Sequence, residues 1–182
     1  MQHSVEIFGK TFVPLITAEE IHAAVVRVAA DLDRNYVDRN PLLIAVLNGA
    51  FVFAADLVRA MHSDPEISFV KVASYRNMES SGQVTPLIGL NTDLTGRDIV
   101  VVEDIVDTGH TIAFLKGLLS KMGAARVSFA ALLFKRTAYQ YDIPIDYVGI
   151  EIPDRFVVGY GLDYDGHGRT LESVYVLQQE TD

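Results

Sequence analysis

The 182-residue sequence contains no cysteine. That absence excludes a disulfide framework, an iron–sulfur cluster, a thiolate zinc site and a cysteine nucleophile. Basic residues are scarce: 15 Lys and Arg stand against 24 Asp and Glu, a net charge of −9. A surface of that sign argues against partners such as nucleic acid or an anionic membrane, which select basic patches. A small polyanion remains admissible, because a local site with a divalent cation overrides the global sign. Long apolar runs are also missing. None exceeds six residues; such a run, as at residues 42–47, is far too short to cross a bilayer, and no basic segment followed by an apolar run is visible at the start. The expectation is therefore a cytoplasmic protein with no membrane partner. No linker, repeat or low-complexity tract divides the sequence, so residues 1–182 read as one domain. Hydrophobic residues make up 49% and charged residues 21%, which excludes global disorder.

Periodicity supplies the fold class. Residues 17–34 read as a helix: Thr17 and Glu20 have capping-box spacing, and Ile21, Ala24, Val25, Val28, Ala29 and Leu32 share one face. Residues 42–47 (LLIAVL), 98–104 (DIVVVED) and 126–134 (RVSFAALLF) are apolar runs suited to strands buried on both faces. Residues 67–73 alternate like a strand, and 147–152 and 156–160 read as shorter ones. Residues 50–61 look helical. Leu115, Leu118, Leu119 and Met122 form a second helical stripe, with Gly123 as its C-terminal glycine. Residues 74–82 are small and polar and read as a loop. Strands alternating with helices predict an α/β domain, a mostly parallel twisted sheet flanked by helices on both faces. In such sheets ligands bind beyond the carboxyl ends of the strands.

One stretch at such an end carries chemistry: residues 101–111, VVEDIVDTGHT. A buried strand runs into two adjacent carboxylates, Glu103 and Asp104. Asp107 follows, then Thr108, Gly109, His110 and Thr111 at the start of a helix. A helix start offers unpaired N–H groups and a positive dipole end, Gly109 lets the backbone come close, and the threonines add hydroxyls. That is a phosphate cradle. Neither the GxxxxGK[ST] nor the GxGxxG pattern is present, so it belongs to no nucleoside-triphosphate loop and no dinucleotide fingerprint. Paired carboxylates would repel a bare polyanion; they suit a sugar diol, hydrated Mg²⁺, or both. Four of the histidines, His3, His22, His62 and His167, show no metal-ligand spacing.

This stretch resembles the phosphoribosyl-pyrophosphate (PRPP) signature of the phosphoribosyltransferases. Further segments resemble the hypoxanthine-guanine branch: Leu47-Asn48-Gly49-Ala50, Ser74-Tyr75 with Ser80-Ser81-Gly82, Leu133 to Thr137, Glu151 to Tyr160, Asp163-Tyr164 and Arg169. The resemblance covers roughly residues 40–177. It implies a type I phosphoribosyltransferase-like fold with a small hood formed by the chain ends. The implied reaction is transfer of 5-phosphoribosyl from PRPP to hypoxanthine, and to guanine, giving IMP or GMP and pyrophosphate in purine salvage.

The resemblance also implies roles. Asp107 matches the proton acceptor near purine N7. Glu103 and Asp104 would face the ribose hydroxyls and Mg²⁺, and Asp107 to Thr111 would hold the 5′-phosphate, with His110 giving its N–H and an exposed ring. Lys135 would donate to the exocyclic oxygen of a 6-oxopurine. Phe156 would stack on the base, and the backbone of Arg155 and Val157 would meet its edge. Asp163 would reach a second Mg²⁺ and the base region. Asn48, Gly49 and Arg169 would hold pyrophosphate, and Ser74 and Tyr75 would belong to a closing lid. In the family the bond entering the residue that matches Asn48 is often a cis peptide. Several relatives carry a basic residue at that position, so Asn48 predicts weaker pyrophosphate affinity or a different subunit contact. A homodimer or homotetramer is implied. The alternatives are a xanthine-preferring transferase and a nucleotide-responsive regulator on the same fold. The net charge and the lack of a Lys/Arg stripe weigh against an RNA-binding version.

Overall fold

The computed structural model describes residues 3–72, 86–88 and 92–178. The expected loop 74–82, with Ser74 and Tyr75, lies outside the described residues. In chain order the elements are β1 (Val5–Ile7), β2 (Lys10–Ile16), α1 (Ala18–Asn35), β3 (Leu42–Leu47), α2 (Phe51–Ala60), β4 (Glu66–Val72), β5 (Pro86–Ile88), β6 (Asp98–Val106), α3 (His110–Lys121), β7 (Arg126–Phe134), β8 (Tyr147–Glu151), β9 (Val157–Val158) and β10 (Val174–Leu177).

Six strands form one sheet in the order β5-β4-β3-β6-β7-β8. β4, β3, β6, β7 and β8 run parallel, and β5 is antiparallel to β4. The apolar runs occupy the middle, as strands buried on both faces must. Successive side chains divide between those faces. Leu43, Ala45, Val100, Val102, Ala130 and Leu132 pack with α1 and α2 residues such as Ile21, Val28, Leu32, Phe53 and Leu57. Leu42, Ile44, Val46, Ile99, Val101 and Ala131 pack with Ile112, Leu115 and Leu119 of α3. The α/β class with a mostly parallel sheet between helices is the observed one.

Helix α1 begins as its sequence dictates. Thr17 Oγ1 accepts from Glu20 N at 3.2 Å, and Glu20 Oε2 accepts from Thr17 N at 2.8 Å. All six predicted face residues of α1 are buried. Past the end of α3 and its C-cap Met122, Gly123 holds φ +87°, and its N–H donates to the Ser120 carbonyl.

A second sheet, antiparallel and four-stranded, orders β1-β2-β10-β9. Its strands at both ends of the described chain carry no long apolar run, and the sequence pattern does not disclose them. The expected strand over 156–160 is corrected here. Only Val157–Val158 is strand, and it pairs with Val176 and Tyr175 of β10 rather than with the parallel sheet. Gly159, Tyr160 and Gly161 all take positive φ, which ends extended structure there.

Main-chain bonds stitch the carboxyl edge of the parallel sheet together. Lys135 N donates to Val106 O and Ile152 N to Phe134 O, each at 2.9 Å. The ends of β6, β7 and β8 therefore present their following residues side by side.

Candidate active site

At that edge a cleft of about 280 Å³ is lined by Asn48, Gly49, Glu103, Asp104, His110, Thr111, Asp163 and Arg169 among others. These residues come from four separate parts of the chain, and the sequence had nominated all eight.

The carboxylates come first. Glu103, on β6, is 6% exposed, and its Oε2 is buried without a hydrogen-bond partner among the described residues. Burial, and then the neighbouring Asp104 charge, raise its pKa well above the usual carboxylate range. Asp104 Oδ1 accepts from Ile105 N at 2.9 Å. Burial pushes its carboxyl up to about 6, against the opposing pull of that hydrogen bond and of Arg169. Among the described residues neither carboxylate forms an ion pair, and Arg169 acts on Asp104 only through its field. No three metal-ligating side chains converge among the described residues, so these residues by themselves supply no closed protein cage. The donor set fits a cation that arrives with phosphate oxygens and water, which is how Mg²⁺ is normally held by one or two carboxylates.

The loop after β3 faces this pair. The Leu47–Asn48 peptide bond is cis. A Cβ on Gly49 would lie 1.5 Å from Asp104 Oδ2, so only glycine allows the two loops to meet. A Cβ on Gly161 would lie 2.2 Å from the Gly49 carbonyl oxygen, which brings a third loop onto the same point. That loop carries Asp163 and Arg169, whose side chains form an ion pair at 2.6 Å. Arg169 also donates to the Gly161 carbonyl at 2.6 Å, and Asp163 Oδ2 accepts from Gly166 N at 2.7 Å. Tyr160, at φ +49°, donates its hydroxyl to Asp56 Oδ2 of α2 at 2.5 Å. The arginine expected to meet an anion is thus preset by local bonds instead of lying loose on the surface.

The turn after β6 is a helix entrance. Gly109 is the N-cap of α3 at φ +91°, and a Cβ there would come within 2.3 Å of the Tyr139 ring. Ala113 N donates to Gly109 O, the first bond of the helix, so the preceding amides at its start remain directed outward. The Gln140 amide donates to Thr108 O at 3.1 Å, fastening the turn from the other side. Thr108 Oγ1 lies 2.6 Å from His110 Nδ1, and the His110 ring meets Tyr141 edge-on. The imidazole is exposed, as its sequence position implied, but it is engaged. Tyr139 and Tyr141 back this turn.

Asp107 sits beside the turn and is half exposed. Its Oδ2 accepts from Lys135 Nζ at 2.9 Å, and Asp154 Oδ1 accepts from the same ammonium at 3.1 Å. Burial alone would lower the Lys135 pKa, but the two carboxylates outweigh it and raise the value. Asp154 was not among the predicted site residues. Its signal was a Pro-Asp step just past a strand end.

Phe156 is 47% exposed and not a core residue; its ring is 5.8 Å from Tyr164 and 6.3 Å from Phe12. Arg155 N–H is taken by the Pro153 carbonyl, so of its main-chain groups the carbonyl is the one left for a ligand edge, and its guanidinium donates to the Leu177 carbonyl. Val157 is buried.

Comparison with known proteins follows the same line. The family model for the phosphoribosyl transferase domain matches residues 17–165. A hypoxanthine-guanine phosphoribosyltransferase of Bacillus subtilis (strain 168) is 42% identical over 90% of this chain and 92% of its own length. The bifunctional protein TilS/HprT of Listeria monocytogenes is 38% identical over 91% of this chain, which spans only 26% of that longer protein. A crystal structure of a hypoxanthine-guanine phosphoribosyltransferase from Bacillus anthracis superposes with a TM-score of 0.84 at 37% identity, covering 90% of this chain and 96% of that one. Among the described residues no helix is long and apolar enough to cross a membrane.

Proposed function

The chain belongs to the phosphoribosyltransferase family, and we propose that it transfers 5-phosphoribosyl from PRPP to the 6-oxopurines hypoxanthine and guanine, a purine-salvage reaction. The observation that carries this reading is one sheet edge that holds a phosphate-ready helix entrance, a largely buried carboxylate pair and a lysine ammonium together.

In the reaction the bond from ribose C1′ to pyrophosphate breaks and a bond from C1′ to a purine ring nitrogen forms. The purine loses a proton and the ribose passes through a cationic state akin to that of glycoside cleavage. Residues Thr108 to Thr111 bind the 5′-phosphate through main-chain N–H groups, fixing C1′ relative to the base. Asp107 accepts the purine proton, and its position next to this turn suits a base bound over the same ribose. Lys135 donates to the oxygen at purine C6; adenine offers an amino group there and gains nothing from an ammonium. Phe156 offers an exposed ring for the base to stack on. Glu103 and Asp104 take the ribose hydroxyls and, with Asp163, would hold Mg²⁺. When bound, that cation neutralises the departing pyrophosphate. Asn48, Gly49 and Arg169 line the place for that anion, Arg169 through its planar fork. The terminal four-stranded sheet serves as the hood beside the base. Residues 1–182 act as one domain, in a homodimer or homotetramer.

The test is a coupled assay of hypoxanthine, guanine, xanthine and adenine, each with PRPP and Mg²⁺, following pyrophosphate release. Turnover of hypoxanthine and guanine with none for adenine is expected. No release with any 6-oxopurine, or a preference for adenine, contradicts the reading.

A further inference from the structure

We propose that Asp154 is a positioning residue that aims Lys135 at the substrate oxygen; the inference rests on the transferase reading above. The lysine stem is enclosed, leaving the residue 6% exposed, and its backbone is fixed by the bond from Lys135 N to Val106 O. Only the ammonium can turn. It has three N–H donors. Among the described residues one meets Asp107 Oδ2 at 2.9 Å and another meets Asp154 Oδ1 at 3.1 Å. The third is left for a ligand.

Two carboxylates define that third direction where one would not. With Asp107 alone, the ammonium could spin about its terminal bond and its third donor would point nowhere in particular. It would also be the sole partner of the group that must take a proton from the base. Asp154 removes both problems. It holds a second corner of the ammonium, and it keeps the charge paired when Asp107 turns to the purine. Its own backbone is held on both sides: Ile152 N donates to Phe134 O at 2.9 Å, and Arg155 N donates to Pro153 O at 2.8 Å. The Arg155 guanidinium adds a bond to the Leu177 carbonyl at 2.9 Å. Asp154 therefore has its backbone held in the loop just past β8, beside the end of β7 that Lys135 follows, while its side chain, 59% exposed, reaches the ammonium it steers.

The contribution is specific to the oxygen at C6. Asp154→Ala removes charge and acceptor, whereas Asp154→Asn keeps size and one acceptor but loses the charge. For Asp154→Ala, KM for hypoxanthine is expected to rise about tenfold, the scale of one charge-assisted hydrogen bond. KM for PRPP should stay within twofold. The inhibition constant of unsubstituted purine, which has no C6 oxygen, should also stay within twofold. Asp154→Asn should fall between wild type and Asp154→Ala. An unchanged hypoxanthine KM in either variant overturns the proposal. So does an equal loss for hypoxanthine and unsubstituted purine, which marks a merely structural role. If Asp154→Ala fails to fold, the same two constants in Asp154→Asn decide. Wild-type protein that turns over no 6-oxopurine refutes the transferase reading instead, so the two failures are distinguishable.

Discussion

Gly49 and Asp104 occupy space that a single added carbon would fill: a Cβ on the glycine would lie 1.5 Å from the aspartate Oδ2. Gly49 follows β3 and Asp104 lies near the carboxyl end of β6, strands that lie side by side in the sheet. Their closeness places the loop proposed for pyrophosphate against the carboxylate proposed for ribose and cation. Gly49→Ala must push one of them away. Displacements near 1 Å at a reacting centre cost about a hundredfold in rate. Turnover of hypoxanthine with PRPP should therefore fall by about 10² in this variant while its circular dichroism stays native. A fully active Gly49→Ala protein would show that the contact has no bearing on the reaction.

Asp107 pairs with Lys135 in the ligand-free chain and is proposed to act on the purine once the base is bound. Asp107→Asn retains shape and loses the basic oxygen. Turnover should drop by about 10² to 10⁴, the usual contribution of general-base catalysis, with IMP still bound. Near-full activity would refute the role. Calorimetric titration with IMP would check that binding persists.

The largely buried acidic pair gives the ligand-free protein a distinctive pH dependence. The carboxyl of Asp104 is pushed from its ordinary value of 3.8 up to about 6 by burial, and that of Glu103 is raised by burial and by Asp104. A raised folded-state value means that the native protein binds the proton more tightly than the unfolded chain does. The stability this contributes is complete below about pH 4 and is lost as pH rises through about 6. Asp33 works in the opposite sense. Burial raises its pKa, but donors from His62 and Ser63 outweigh that and leave it below the ordinary value, so its contribution is lost only in more acidic solution. Between pH 4 and pH 6.5 the melting temperature of the wild type should therefore fall relative to that of Asp104→Asn. Parallel melting curves across that range would contradict the assignment.

Far from the site, the capping box at Thr17 and Glu20 should matter for stability alone. Thr17→Ala removes the side-chain acceptor for the Glu20 amide. A loss of about 1 kcal/mol is expected by denaturant titration, with catalytic constants unchanged. A loss of activity without loss of stability would mean that α1 is coupled to the site in some other way.

Much of this arrangement was legible in the sequence. Residues 42–47, 98–104 and 126–134 are so uniformly apolar that only strands covered on both faces suit them, and the three became β3, β6 and β7. The ordered set Glu103, Asp104, Asp107 to Thr111 disclosed a phosphate turn because each residue type there has a separate chemical reason to be present. What stayed hidden depended on contacts between distant segments. β2 reads KTFVPLI, with a proline and no continuous apolar run, and it becomes a strand because β1 and β10 flank it. Residues 156–160 look like one strand, yet three consecutive positive φ values from Gly159 to Gly161 cut it short. Asp154 lies 19 positions from Lys135, and their pairing follows only from the adjacency of β7 and β8. The backing of Gly109 by Tyr139 was likewise invisible, because glycine leaves no pattern for the ring that fills its missing side chain.

The claim beneath all of these is that the turn from Asp107 to Thr111 grips the 5′-phosphate of a purine nucleotide. A crystal structure of the protein with IMP tests it most directly. The account predicts the phosphate on the main-chain N–H groups of Thr108 to Thr111 and the purine between Phe156 and Lys135. A nucleotide bound elsewhere, with that turn free, would contradict it.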